Sequence, residues 1–285
     1  MKIIITSILL VFFITTTSTF SQSVDKINDS TIHITSKPIW IGKSLLEDQQ
    51  HLWSSPFHIK KKDLYYIVPV ALVAGTAMIF DENIHSHLMQ FKTDHSWVKE
   101  ISPVLTYGGE IPVVAGISAA FYIGGLVLKD DKIMQTGAIA GYALVNSAVV
   151  VSVLKMIAGR QRPRVDASSQ WHPFPESLKQ FTGSSPDKYA SFPSGHSIAA
   201  FTLATVIAQQ YKESIIIPVI MYSLATGVAI SRTTENAHWL SDVIIGSALG
   251  YGIGKYMVQK HRQTKWVLFP SQSGGFLTIT GIYRF

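Results

Sequence analysis

Six apolar stretches narrow most sharply what this chain can fold into. They are Leu64–Phe80, Ile111–Leu128, Met134–Ile157, Ser197–Ala208, Ile215–Ile230 and Val243–Val258. A helix that crosses a bilayer needs about 17–25 mainly apolar residues. The second and third stretches meet that length, and the first, fifth and sixth sit at its lower edge. The fourth is short unless Gln209-Gln210-Tyr211 completes it. All are rich in Gly, Ala and Ser, which lets helix backbones approach closely. The pattern predicts an all-α, six-helix bundle embedded in a membrane; a soluble bundle with very apolar core helices is the plainer alternative. Composition agrees with either. Charged residues are 15% of the chain and apolar residues 47%, which excludes a disordered polypeptide. The absence of cysteine excludes disulfide scaffolds, cysteine zinc sites, iron–sulfur clusters and thiol nucleophiles. A net charge of +6 suits anionic partners, whether nucleic acid, phospholipid head groups or phosphate substrates.

The segments outside the apolar core set the expected organisation. Residues 1–22 begin with Lys2, continue through the apolar run Ile3–Ile14 and end in small and polar residues. This is the pattern of a secretory signal peptide, or of an N-terminal anchor if it is retained. Residues 23–63 read as a polar lead-in ending in Lys60-Lys61-Lys62, and 64–260 as the main domain. Asp81–Glu110 is expected to be a surface helix plus loop. Arg164–Phe192 is a long connection, and loops of that length in a compact domain are usually functional or disordered. The tail, 261–285, turns β-like: Phe276–Phe285 has strand composition after a Ser-Gly-Gly turn.

Three polar clusters lie at the ends of the later apolar segments. The first is Lys155-Met-Ile-Ala-Gly-Arg160-Gln-Arg162-Pro163. Lys155 and Arg162 are seven residues apart, so they share a face if the helix continues to Pro163; a basic membrane-flanking helix end is the plainer reading. The second is Ser191-Phe192-Pro193-Ser194-Gly195-His196. Ser194 can cap the following helix, and Gly195 lets a ligand approach the backbone. The free N–H groups of a helix start form an anion site, with His196 as a titratable proton donor beside it. Simple capping with a surface histidine is the alternative. The third is Ser231-Arg232-Thr-Thr-Glu235-Asn-Ala-His238-Trp-Leu-Ser-Asp242. His238 and Asp242 stand at i, i+4, where helix neighbours meet. A carboxylate on one ring nitrogen would leave the other nucleophilic, and Arg232 can offer a bidentate fork to phosphate. An exposed His–Asp pair is the alternative here. Taken together, three cations, a helix-start anion nest, two histidines and a carboxylate are the kit of phosphoryl transfer.

These three runs resemble the three-part signature of the type 2 phosphatidic acid phosphatase (PAP2) superfamily, which also includes bacterial class A acid phosphatases and vanadium haloperoxidases. The resemblance spans about Leu64 to Lys260. It implies a metal-independent, cofactor-free phosphatase on an all-α bundle. It also implies that His238 attacks phosphorus to form a phosphohistidine and that Asp242 orients it. His196 would protonate the leaving oxygen and then activate water. Lys155, Arg162 and Arg232 would hold the phosphoryl oxygens, with Ser194 and Gly195 adding donors. Trp239, Arg160, Arg164, Asp166 and His172 lie near these motifs as head-group contacts or, more plainly, as structural residues.

The membrane-like segments point to a phosphorylated lipid as substrate and a bilayer as setting, without nucleic acid. A soluble periplasmic acid phosphatase and a vanadate-dependent haloperoxidase are the alternatives. The expected location is the bacterial cell envelope, in the inner membrane with the site facing the periplasm. The basic groups Lys60–Lys62 and Lys260-His261-Arg262 agree with this by the positive-inside rule. A cleaved signal peptide followed by six crossings would place the site on the other side, so the two signals oppose each other. Oligomeric state has no readable code.

Overall fold

In a computed structural model, the structure describes residues 41–178, 187–263, 266–273 and 276–283. The predicted signal peptide or anchor, residues 23–40 of the lead-in and part of the tail lie outside the described residues. Eight α-helices are described: α1 (Ile41–Ser54), α2 (Lys61–Asp94), α3 (Ser96–Tyr107), α4 (Ile111–Leu128), α5 (Asp131–Ala158), α6 (Gly195–Gln210), α7 (Ile216–Thr234) and α8 (Leu240–Gln263). A hairpin of β1 (Trp266–Ser273) and β2 (Phe276–Tyr283) follows, antiparallel, with Trp266 paired to Tyr283 and Ser273 to Phe276. The six apolar stretches therefore form α2 and α4–α8, as the all-α reading expects.

The helix boundaries follow from local chemistry. Asp130 caps α5 by accepting from the backbone N–H of Lys132 at 2.8 Å and Ile133 at 3.0 Å. Gly159 ends α5 with φ of +57°. A Cβ there would lie 1.7 Å from the His172 carbonyl oxygen, so only glycine fits this crossing. One expectation is corrected. Asp81–Glu110 is not a separate surface helix and loop: α2 runs without a break through Asp81 to Asp94, and α3 then packs on α7 through Ser102–Thr234 (2.6 Å) and Thr106–Ser231 (2.8 Å). Asp81 and His85 are buried faces of that longer helix.

α6 is the centre of the bundle. Nearly every residue from Ser197 to Ala208 is buried, between α5, α7 and α8. Val206 and Ile207 join Ile139, Ala143, Val150, Ile253 and Met257 in one apolar core. α8 reaches α6 through a stripe of glycines four residues apart. A Cβ would lie 2.7 Å from the Ser194 oxygen at Gly246, 2.4 Å from the Ile198 oxygen at Gly250 and 2.9 Å from the Thr202 oxygen at Gly254. The outer helices differ. α2, α4, α5 and α7 are the described helices long and apolar enough to cross a membrane. Large apolar side chains are exposed along them, among them Leu72, Ile79, Ile123, Val127, Val219 and Leu224. Exposed faces of this kind suit lipid rather than water.

Candidate active site

The site forms where three chain segments meet at one end of α6. The first is the link after α5. The helix ends at Ala158, so Lys155 and Arg162 do not share a helix face as the seven-residue spacing predicts; Arg162 lies in extended chain beyond the Gly159 turn. The two cations are nevertheless brought to the same pocket. A side chain beginning at Gly195 would lie 3.7 Å from the Lys155 Nζ. Arg162 is buried and donates to the carbonyls of Asp187 (3.0 Å) and Ala237 (3.2 Å). Burial lowers its pKa to about 10, which leaves it cationic at neutral pH.

The second segment is the start of α6. Ser194 is the N-cap, and its Oγ accepts from the Ser197 backbone N–H and from the Ser197 hydroxyl at 2.8 Å. Its own N–H donates to the Asp242 carbonyl at 3.1 Å, tying this loop to α8. The helix start directs free backbone donors outward, with its dipole favouring an anion. His196 follows on the first turn. Burial, with Arg232, Lys155 and Arg162 adding, lowers its pKa to about 3, so the ring is neutral near pH 7.

The third segment joins α7 to α8. Arg232, in the last turn of α7, is buried, and its Nε has no hydrogen-bond partner among the described residues. His238 is buried and precedes α8, which begins at Leu240. The i, i+4 rule therefore does not govern His238 and Asp242, because only Asp242 is helical. Their closest approach is 3.9 Å. His238 Nδ1 instead bonds the Ser191 carbonyl at 2.6 Å, which fixes the proton on Nδ1. Nε2 then carries the lone pair and accepts from Arg162 Nη1 at 3.4 Å. Burial, reinforced by Arg162, Lys155 and Arg232, holds the ring well below its ordinary pKa of 6.5.

The five residues singled out for uncertain roles separate cleanly. Arg160 is fully buried and bonds Asp81 (2.8 Å), Asp242 (2.6 Å) and Ser241 (2.7 Å), so it lies behind the pocket. Trp239 is buried and donates to the Gln161 carbonyl at 2.8 Å. His172 lies 3.3 Å from Glu176, exposed Arg164 lies 3.8 Å from Asp187, and Asp166 accepts from the Ser168 N–H. Sequence reasoning misses Asp81, Ser169 and Ser241, and gives Ser191 no role. A carboxylate at the end of an apolar helix is the one available signal for Asp81.

The geometry defines an all-α bundle whose buried polar end gathers a helix start, two neutral histidines and three cations that each act on both rings. Residues 136–266 match the family model of the PAP2 superfamily. The chain is 28% identical over 203 residues to a lipid A 1-phosphatase of Porphyromonas gingivalis, covering 70% of this chain and 39% of that protein. It is 28% identical over 90 residues to a lipid A 4'-phosphatase of Helicobacter pylori, covering 32% of this chain and 44% of that protein. The chain thus spans less than half the length of these curated relatives. The crystal structure of a transmembrane PAP2-type phosphatidylglycerolphosphate phosphatase from Bacillus subtilis aligns with a TM-score of 0.47 at 18% identity, over 78% of this chain and 96% of that one.

Proposed function

We propose that the protein is a membrane phosphatase that removes phosphate from a lipid head group through a phosphohistidine. One observation carries this reading. A buried histidine, His238, has its Nδ1 proton fixed by a main-chain carbonyl and its Nε2 lone pair turned toward Arg162 among three cations. In the first step His238 Nε2 attacks phosphorus, the bond from phosphorus to the lipid oxygen breaks, and His196 gives that oxygen a proton. In the second, water loses a proton to His196 and attacks phosphorus, and the phosphorus–nitrogen bond breaks to release inorganic phosphate. Lys155, Arg162 and Arg232 stabilise the equatorial oxygens, together with the Ser194–Gly195 helix start.

Lipid as substrate is supported by the apolar outer faces of α2, α4, α5 and α7, and by relatives named for lipid A phosphatase activity. The site end lies opposite the basic ends of the bundle: Lys60–Lys62 precede α2, and Lys260 and Arg262 close α8. The positive-inside rule therefore orients the site away from the cytoplasm. The test is phosphate release by purified protein in EDTA. It uses lipid A, phosphatidic acid, a diphosphate lipid and a small soluble phosphomonoester, with His238→Ala as control. The expected result is release from lipid, falling by about 10³-fold or more in the variant. Release from the soluble ester alone, or undiminished release by His238→Ala, overturns the reading.

A further inference from the structure

Asp242 is the residue that the resemblance assigns to orienting His238, yet its carboxylate is fully engaged elsewhere. Oδ1 accepts from Arg160 Nη1 at 2.6 Å. Oδ2 accepts from the Ser191 hydroxyl at 2.6 Å and from the Trp239 backbone N–H at 3.0 Å. Arg160 is itself saturated. Its guanidinium bonds Asp81, Ser241 and Ser169 as well as Asp242, and it lies between the rings of Trp171 (4.8 Å) and Trp239 (5.4 Å). Asp81 is held in turn by the Ser241 backbone N–H and hydroxyl. Four separate parts of the chain therefore converge on one buried cation: α2, the two strands of the loop after α5, and the start of α8.

The geometry points to Arg160, braced by Asp81, as a positioning residue that holds Asp242 at 3.9 Å from His238 Nδ1 and leaves the Ser191 carbonyl as its hydrogen-bond partner among the described residues. The consequence is chemical. A carboxylate bonded directly to Nδ1 would favour the imidazolium and so remove the Nε2 lone pair. It would also stabilise the positively charged phospho-imidazole. A neutral carbonyl fixes the same tautomer with less of either effect, which keeps the ring free to attack and the phosphorus–nitrogen bond ready to break. Asp242 acts through Ser191: the Oγ–Oδ2 bond holds the residue whose carbonyl orients the ring. The other charges facing His238 are Lys155 from α5, Arg162 from the following link and Arg232 from α7. Facing Arg160 from α2 are Asp81 and, beside it, His85.

The inference rests on His238 as the nucleophile, so its test reads His238 without any substrate. The full chain is labelled with ¹⁵N-histidine in lipid nanodiscs, and His238 is assigned by the signal lost in His238→Ala. Near pH 7 the wild-type ring is expected to be neutral with the proton on Nδ1. Arg160→Met releases Asp242 toward the ring and should raise the proton affinity of His238 about tenfold or more, one pH unit. Arg160→Lys keeps the charge and should stay within about threefold of wild type. Ser191→Ala removes a single hydroxyl, opens Oδ2 and should move His238 in the same direction as Arg160→Met. Because Arg160→Met leaves two buried carboxylates without their cation, Ser191→Ala decides the matter if that variant does not fold. A folded Ser191→Ala or Arg160→Met protein whose His238 keeps the wild-type tautomer and titration overturns the proposal. Absence of phosphate release by the wild-type protein, with these spectra as expected, leaves it standing and counts only against the catalytic reading.

Discussion

His196 is a neutral imidazole near pH 7, because burial and three cations lower its pKa to about 3. The proposed mechanism needs an acid to release an alcohol from phosphorus, so on that mechanism the additional proton arrives with the substrate. A phosphate dianion offsets Lys155, Arg162 and Arg232, and thereby raises the affinity of His196 for a proton. Binding of inorganic phosphate or vanadate near pH 7 is therefore expected to take up close to one proton. Calorimetry in two buffers of different ionisation enthalpy measures the uptake, and His196→Gln should abolish it. The same shift has a stability consequence. The unfolded histidine binds a proton below its ordinary value of 6.5 while the folded ring does not, so His196 favours the fold above that pH. That contribution declines as the pH falls from about 6.5 toward about 3, and a phosphate-free thermal melt series should fall over that window. Gly159 is a second residue-scale case. Gly159→Ala puts a methyl against the His172 carbonyl at a left-handed φ, where the backbone term alone costs about 1–3 kcal/mol. A large drop in thermal midpoint should result, with weaker phosphate binding because Arg160 and Arg162 leave from this turn.

At the scale of elements, the α6–α8 contact decides whether the site holds its shape. Gly246, Gly250 and Gly254 let α8 approach the α6 backbone, and the Ser194 N–H to Asp242 carbonyl bond closes the top of that contact. Gly250→Ala places a Cβ 2.4 Å from the Ile198 oxygen. Overpacking of this kind costs about 1–3 kcal/mol, and it should lower both melting temperature and turnover. Gly252→Ala faces open space and should change neither. The sequence shows this interface only as small-residue richness; which glycines touch is set by the tertiary register. Helix periodicity also misplaces two pairs. Lys155/Arg162 and His238/Asp242 each straddle a helix end, at Gly159 and Leu240, so their spacing in turns has no meaning there. Their convergence comes from how the loops fold over α6. The motif residues are legible because chemistry at helix ends is local. Asp81 is not, because its partner Ser241 lies 160 residues away.

For the whole molecule, α6 is packed among α5, α7 and α8, with the site at one end and most of the flanking lysines at the other. The chain has no cysteine, so its orientation can be read with single introduced thiols. Ala167→Cys, in the exposed loop at the site end, should react with a membrane-impermeant maleimide in intact spheroplasts. Lys212→Cys, just beyond α6 at the other end, should react only after permeabilisation. The reverse pattern would turn the site toward the cytoplasm. The all-α architecture was legible from the lengths of the apolar runs. The special status of α6 was visible only as shortness, and the structure gives the reason. At 16 residues, about 24 Å, it is shorter than the roughly 30 Å hydrocarbon layer and has neighbouring helices rather than lipid around it.

That dependence on neighbours bears on how the protein is made. α6 leaves the ribosome before α7 and α8 exist, and the surface that receives Gly246, Gly250 and Gly254 is then uncovered. His238 and Asp242 are synthesised later still, and the loop at Ser194 gains its tie to Asp242 only when α8 docks. A nascent chain that has reached α6 already carries Lys155, Arg162 and His196 but lacks His238, the nucleophile of the proposed mechanism. On that mechanism an interrupted or truncated product is expected to be inert toward the lipids of the membrane in which it is stranded.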